Sequence, residues 1–150
     1  MNKAALCFAS LLSTASWGEE MCTRNALQVD VCRVATTISK SIAEELPLRL
    51  NRNLVLQQIG ASGNSIRMRA VFDYTEAYLA EKAKPGVTLD TMKKSVRDNA
   101  INIACRPETE LEAFIELGGR VQFAYFFSDK AHFLTVNIDR CGPHQDTKAH

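Results

Sequence analysis

The chain has 150 residues, 46% of them apolar and 23% charged, with 18 basic against 17 acidic side chains and a formal net charge of +1. This is the composition of one globular domain, and it excludes a disordered chain, a collagen-like repeat and a coiled coil. The balanced charge argues against a nucleic-acid binder that works by phosphate neutralisation, and no apolar run reaches the roughly 20 residues that span a bilayer.

Residues 1–18 read as a secretory signal peptide. Lys3 precedes the apolar run Ala4 to Leu12, and Ser16 and Gly18 fit the small-residue subsites of a signal peptidase, with cleavage before Glu19. Cys7 lies inside the apolar run, where a lipoprotein signal would not place its modified cysteine. The expected product is therefore a periplasmic or secreted protein without a lipid anchor. Loss of Lys3 leaves 17 acidic side chains matched by an equal number of basic ones, for a net charge of zero.

Beyond the leader stand Cys22, Cys32, Cys105 and Cys141, an even set that reads in an exported chain as a disulfide framework. Three connectivities are open to four cysteines. Cys105 ends a predicted helix and Cys141 a predicted strand. Joining them would close a loop of roughly 35 residues and contribute about 3–4 kcal/mol in the chain-entropy view. Cys22 and Cys32 are then left for each other. Continuous helix would hold them about 15 Å apart, whereas a bridge needs less than about 7 Å. Their pairing requires the helix to begin near Asp30, with 22–29 folded back as a loop. A four-thiolate metal site is disfavoured because no CxxC pair occurs.

Asp30 is a candidate helix N-cap, and Val31, Val34, Ala35, Ile38 and Ile42 follow at helical spacing up to Pro47. Residues 54–59 read as a strand, 60–64 as a five-residue loop, and 65–73 as a second strand. In that strand Ile66, Met68, Ala70 and Phe72 face one way and Ser65, Arg67, Arg69, Val71 and Asp73 the other. A short helix is predicted over 74–82, with Ala77 and Tyr78 inward, broken by Lys84-Pro85-Gly86.

Thr88 or Asp90 starts a longer helix with the stripe Leu89, Met92, Val96, Ala100 and Ile103, ending at Cys105. Pro107 suits the first turn of the next helix, and Glu108, Glu110 and Glu112 suit its positive end. Gly118-Gly119 stops that helix. Residues 120–127 place Val121, Phe123, Tyr125 and Phe127 on one face and Phe126 on the other. After a turn at 128–131, the strand 132–140 places Leu134, Val136 and Ile138 on one face and Thr135, Asn137 and Asp139 on the other. The last nine residues, 142–150, form an expected flexible tail.

The expected fold is α+β. It is an antiparallel sheet of about four strands, in two hairpins, with helices packed on one face and disulfide staples, occupying 19–141 as one domain.

No GxSxG, HExxH, GxGxxG or GxxxxGK[ST] motif occurs. His132 near Asp129 suggests a dyad, but no nucleophile stands beside it, and a surface residue next to a turn is the better reading. The sequence therefore implies no catalytic set, no metal and no cofactor. Arg67, Arg69, Val71 and Phe126 share the outward sheet face. A mixture of cationic and apolar groups there is a candidate surface for a protein partner such as an amphipathic helical segment.

Glu45-Leu46-Pro47-Leu48, the LVLQQIGASGNSIRM hairpin, the helix ending in Cys105, the aromatic strand VQFAYFF and the terminal Asp139-Arg140-Cys141 together resemble the β-class pilotins of type II secretion systems. They are also similar to the quorum-sensing-regulated virulence factor family of exported bacterial proteins. The likeness covers about residues 42–141. It implies a small α/β domain with a Cys105–Cys141 bridge. For pilotins it implies binding a helical tail of the secretin subunit and escorting it to the outer membrane. The missing lipoprotein cysteine implies a soluble relative. The leading expectation is a non-enzymatic, pilotin-like binding protein serving a secretion or virulence apparatus. The alternative is an exported inhibitor or immunity-like protein that blocks an enzyme with loop 60–64 or 128–131.

Overall fold

The computed structural model describes Cys22 and residues 27–83 and 85–142. The expected signal peptide and all of the expected tail beyond Gly142 lie outside the described residues.

Asp30 starts the first helix, α1 (Val31–Ala43), as a side-chain cap: its Oδ1 accepts the backbone N–H of Arg33 at 3.0 Å. Val31, Ala35 and Ile38 are buried, with Val34 and Ile42 partly buried beside them, which is the stripe its spacing predicts. Cys22 is bonded to Cys32 in the first turn of α1, with Cα atoms 5.7 Å apart, so the helix does begin late.

Five strands follow: β1 (Leu48–Asn51), β2 (Leu54–Ser62), β3 (Ser65–Phe72), β4 (Arg120–Phe126) and β5 (His132–Ile138). They form one open sheet in the order β1-β2-β3-β4-β5. The α+β reading holds, but the sheet differs from the expected one in two respects. Its edge carries β1, a four-residue strand paired antiparallel to the start of β2. And β3 and β4, the joint between the two hairpins, run parallel, Ser65 against Arg120 through Val71 against Phe126. The physical reason is the long connection 73–119. It crosses back over the sheet as helices and returns the chain to the end where β3 began, and only a connection of this kind can join parallel strands.

The β2–β3 hairpin is also tighter than expected. Ser62 pairs with Ser65, so the predicted loop 60–64 is mostly strand. Its turn is Gly63-Asn64, with Gly63 at φ +56°, where a side chain would be strained. Both ends of the parallel joint are held by backbone bonds. Arg120 N–H donates to Asn64 O at 2.9 Å, and Ser128 N–H donates to Tyr74 O at 3.1 Å.

Helix α2 (Glu76–Lys82) has Thr75 as its cap and buries no residue fully. Tyr78, expected inward, is 52% exposed, and Leu79 packs inward in its place. Helix α3 (Leu89–Ala104) starts with a reciprocal capping box between Thr88 and Thr91. Helix α4 (Glu110–Glu116) is capped by Thr109, so Pro107 precedes the helix and is not in its first turn. At its end Gly118, at φ +94°, donates to Ile115 O, and Gly119 N–H donates to Phe114 O at 2.9 Å. This is the Schellman arrangement.

The helices lie on one face. α1 covers β2 and β3, α4 packs on β4 and α1, and α3 reaches β5. Cys105 at the end of α3 is bonded to Cys141 just after β5, with Cα atoms 5.5 Å apart. Ile66 and Val121, partners across the parallel joint, are wholly buried at the centre. Around one end of the core Phe72, Phe127 and Phe133 meet edge-on or tilted, with ring centroids 5.2–6.0 Å apart.

Candidate functional site

No described helix covers the other face of the sheet. Because the register is continuous through the parallel joint, its side chains stand in cross-strand rows. One row runs Arg49, Val55, Val71, Phe126, His132. The next runs Gln58, Arg69, Ala124, Thr135, and a third runs Gly60, Arg67, Gln122, Asn137. The four residues singled out from the sequence, Arg67, Arg69, Val71 and Phe126, therefore sit together on this face. Arg67 is exposed, and Arg69, Val71 and Phe126 are half-buried.

Three irregularities shape the face. An extra residue at Leu50 in β1, at Gln57 in β2 and at Phe133 in β5 shifts the pairing by one. In β5 this sends both Phe133 and Leu134 into the core and leaves His132 outward beside Phe126. The Phe126 ring is held on two sides. The Arg69 guanidinium carbon lies 4.3 Å from its centroid, and the His132 ring meets it edge-on at 5.4 Å. A cation over a ring in this manner contributes about 0.5–1 kcal/mol at an exposed site. His132 Nε2 is 2.8 Å from Thr135 Oγ1, and Gln122 Nε2 donates to Asn137 Oδ1 at 2.8 Å.

The side chains of Arg67 and Arg69 have no carboxylate partner among the described residues, and Arg69 Nε is buried without a hydrogen bond. Sequence reasoning found the two arginines but missed Arg49 and the stacking of Arg69 on Phe126. Both depend on which strands are neighbours, which alternation within one strand does not encode. Arg49 alternates with Leu48 and Leu50, but over four residues that is too short a signal to mark a strand.

The other candidates are not brought together. Asp129 Oδ1 accepts the N–H of Ala131, while His132 turns to Thr135, so the two are engaged separately. Glu112 Oε2 accepts the N–H of Glu108, and Glu110 lies in the first turn of α4, so these acids serve the helix start. Among the described residues no three His, Cys, Asp or Glu side chains are grouped to hold a metal ion, and no helix is long and apolar enough to cross a membrane.

Concavities lined by described residues lie elsewhere, among them an open one of about 430 Å³ along α3 at Thr91, Lys94 and Asp98. A shallow depression of about 630 Å³ surrounds the start of α1, lined by Gln28, Asp30, Arg33, Thr37 and Glu110. A small apolar cavity of about 130 Å³ lies between α3 and the aromatic end of the core, lined by Phe72, Tyr74, Leu79, Met92, Phe127 and Phe133 among others.

No protein-family profile matches the chain, and no curated protein matches it in sequence. Solved structures do match it in fold. The pilotin EpsS of the Vibrio vulnificus type 2 secretion system superposes with a TM-score of 0.60 at 15% identity, over 76% of this chain and 94% of that one. The type II secretion pilotin AspS of Vibrio cholerae gives 0.55 at 16% identity, over 72% and 87%. A candidate secreted protein of Pseudomonas aeruginosa gives 0.56 at 13% identity, over 73% and 88%. At such identities the likeness is one of architecture, and the chain has a pilotin-like fold.

Proposed function

We propose that this chain is an exported, non-enzymatic accessory protein of a secretion apparatus, and that it acts by docking a protein partner on the open face of its sheet. The observation that carries the reading is that face itself. The described helices cover only the other side, and Arg67, Arg69, Val71 and Phe126 stand together, the two arginines with no carboxylate partner among the described residues. The pilotin-like fold supports a place in a secretion system, and the leader pattern with its disulfide framework supports a periplasmic or secreted location. A half-buried aromatic beside unpaired arginines is the composition in which binding energy tends to concentrate.

The test is photo-cross-linking in cells from positions 71 and 126, with position 94 on the outside of α3 as control. A secretion-apparatus component captured from the face and not from position 94 is the expected result. Phe126→Ala should reduce capture several-fold while lowering stability by only about 1–2 kcal/mol, because the ring is only partly buried. A wholly buried ring such as Phe123 would lose about 3–5 kcal/mol. Equal capture from position 94, or capture unchanged by Phe126→Ala, would overturn the reading.

A further inference from the structure

We infer that the segment docked on this face is an acidic, amphipathic stretch of polypeptide, with carboxylates set against Arg67 and Arg69 and an apolar side chain set against Phe126 and Val71. The inference rests on the docking reading above and names the chemistry of the partner. Its basis is a segregation of charge that a near-neutral composition conceals. None of the five strands contains an Asp or a Glu. Arg49, Arg67, Arg69 and His132 all point to the open side.

The acids lie in helices and loops: Glu44 and Glu45 after α1, and Glu110, Glu112 and Glu116 in α4 on the covered side. Acids in the loops that flank the strands are Asp73 after β3, Asp129 before β5 and Asp139 after it. Asp129 bonds its turn, and Asp139 pairs with Arg140.

Arg67 and Arg69 are two residues apart on β3 and so project about 7 Å apart. That spacing suits carboxylates two apart on a strand or one turn apart on a helix. A guanidinium over a ring keeps N–H groups that a carboxylate can accept from while the cation–ring contact is kept. The row Val55, Val71, Phe126 gives the partner an apolar footing directly beside the cations. Such a mixture favours an amphipathic polypeptide over a polyanion. A duplex or an anionic bilayer would gain most from a wide cationic surface, and the whole chain carries only +1.

The full chain would be titrated with a 20-residue amphipathic peptide bearing Glu beside a Leu face, and with the same peptide carrying Lys for Glu. Phosphatidylglycerol vesicles and a DNA duplex complete the series. The Glu peptide should bind. Affinity should fall about tenfold with Arg67→Glu or with Arg69→Glu, and again when salt is raised from low to high. The Lys peptide should bind the Arg67→Glu/Arg69→Glu double variant better than it binds the unaltered chain.

Arg67 is exposed and lies over no described ring, so Arg67→Glu tests charge with little effect on the fold. If both peptides bind equally and Phe126→Ala weakens both, the face docks partners but the acidic class is wrong. If neither peptide binds, or only vesicles or DNA do, this inference fails. The docking reading fails separately, by the cross-linking result.

Discussion

The Tyr125 ring stacks with those of Phe72 and Phe123, and its buried hydroxyl has no hydrogen-bond partner among the described residues. Burial pushes its pKa up from 10.0 to about 12. Tyr74 is also raised, by burial first and by the neighbouring Asp73 charge second. Both groups therefore ionise in the unfolded chain before they ionise in the folded one. Their contribution to stability is intact below about pH 10 and is lost as pH rises toward the folded values. We expect Tyr125→Phe to leave stability at neutral pH unchanged or higher, since it removes an unsatisfied polar atom. It should also flatten the alkaline decline, with the part due to Tyr74 remaining; urea titrations between pH 8 and 12 would measure both effects. Gly119 is the other residue whose replacement has a definite consequence. A Cβ there would lie 2.4–2.5 Å from ring atoms of the wholly buried Phe114. Gly119→Ala should lower stability by about 1–3 kcal/mol, read as a fall in Tm, because the ring has no space into which to move.

At the scale of elements, much of the fold is legible because its signals are local. Asp30 and Thr88 announce their helices through bonds to the third residue onward, and the alternation of β3 and β4 sorts inward from outward side chains correctly. The elements that escape are those defined by a distant partner. β1 exists because Leu48 and Arg49 find Leu56 and Val55, and Phe133 turns inward because β4 imposes a bulge. Tyr78 reads as a core aromatic, yet α2 is too short and too peripheral to bury it. The Cys105–Cys141 bond ties the end of α3 to the end of β5, across 36 positions of sequence. Replacing both cysteines by alanine should lower stability by about 2–5 kcal/mol in denaturant melts. Replacing Cys22 and Cys32, which close a separation of only 10, should lower it by less.

At the scale of the whole molecule, neither the order of the strands nor the parallel joint is written in any local pattern, and for that reason the open face was only half visible in the sequence. The four outward residues on β3 and β4 could be identified, but not that Arg69 would lie on Phe126 across the joint. That joint divides the protein in a further way. The first half, through Ala83, holds α1 on β2 and β3 with its own disulfide, and the second, from Pro85, holds α3 and α4 on β4 and β5 with the other. No described disulfide crosses between them. A single protease cut engineered between Ala83 and Val87 should thus leave two pieces that stay together through the β3–β4 ladder and the α1–α4 contact. They should elute as one species from a sizing column in native buffer and part in denaturant without any reductant. A nicked chain that needs reductant to separate would place a covalent link across the joint and contradict the arrangement. Each half carries its own staple, so the two halves expressed as separate pieces should reassemble when mixed.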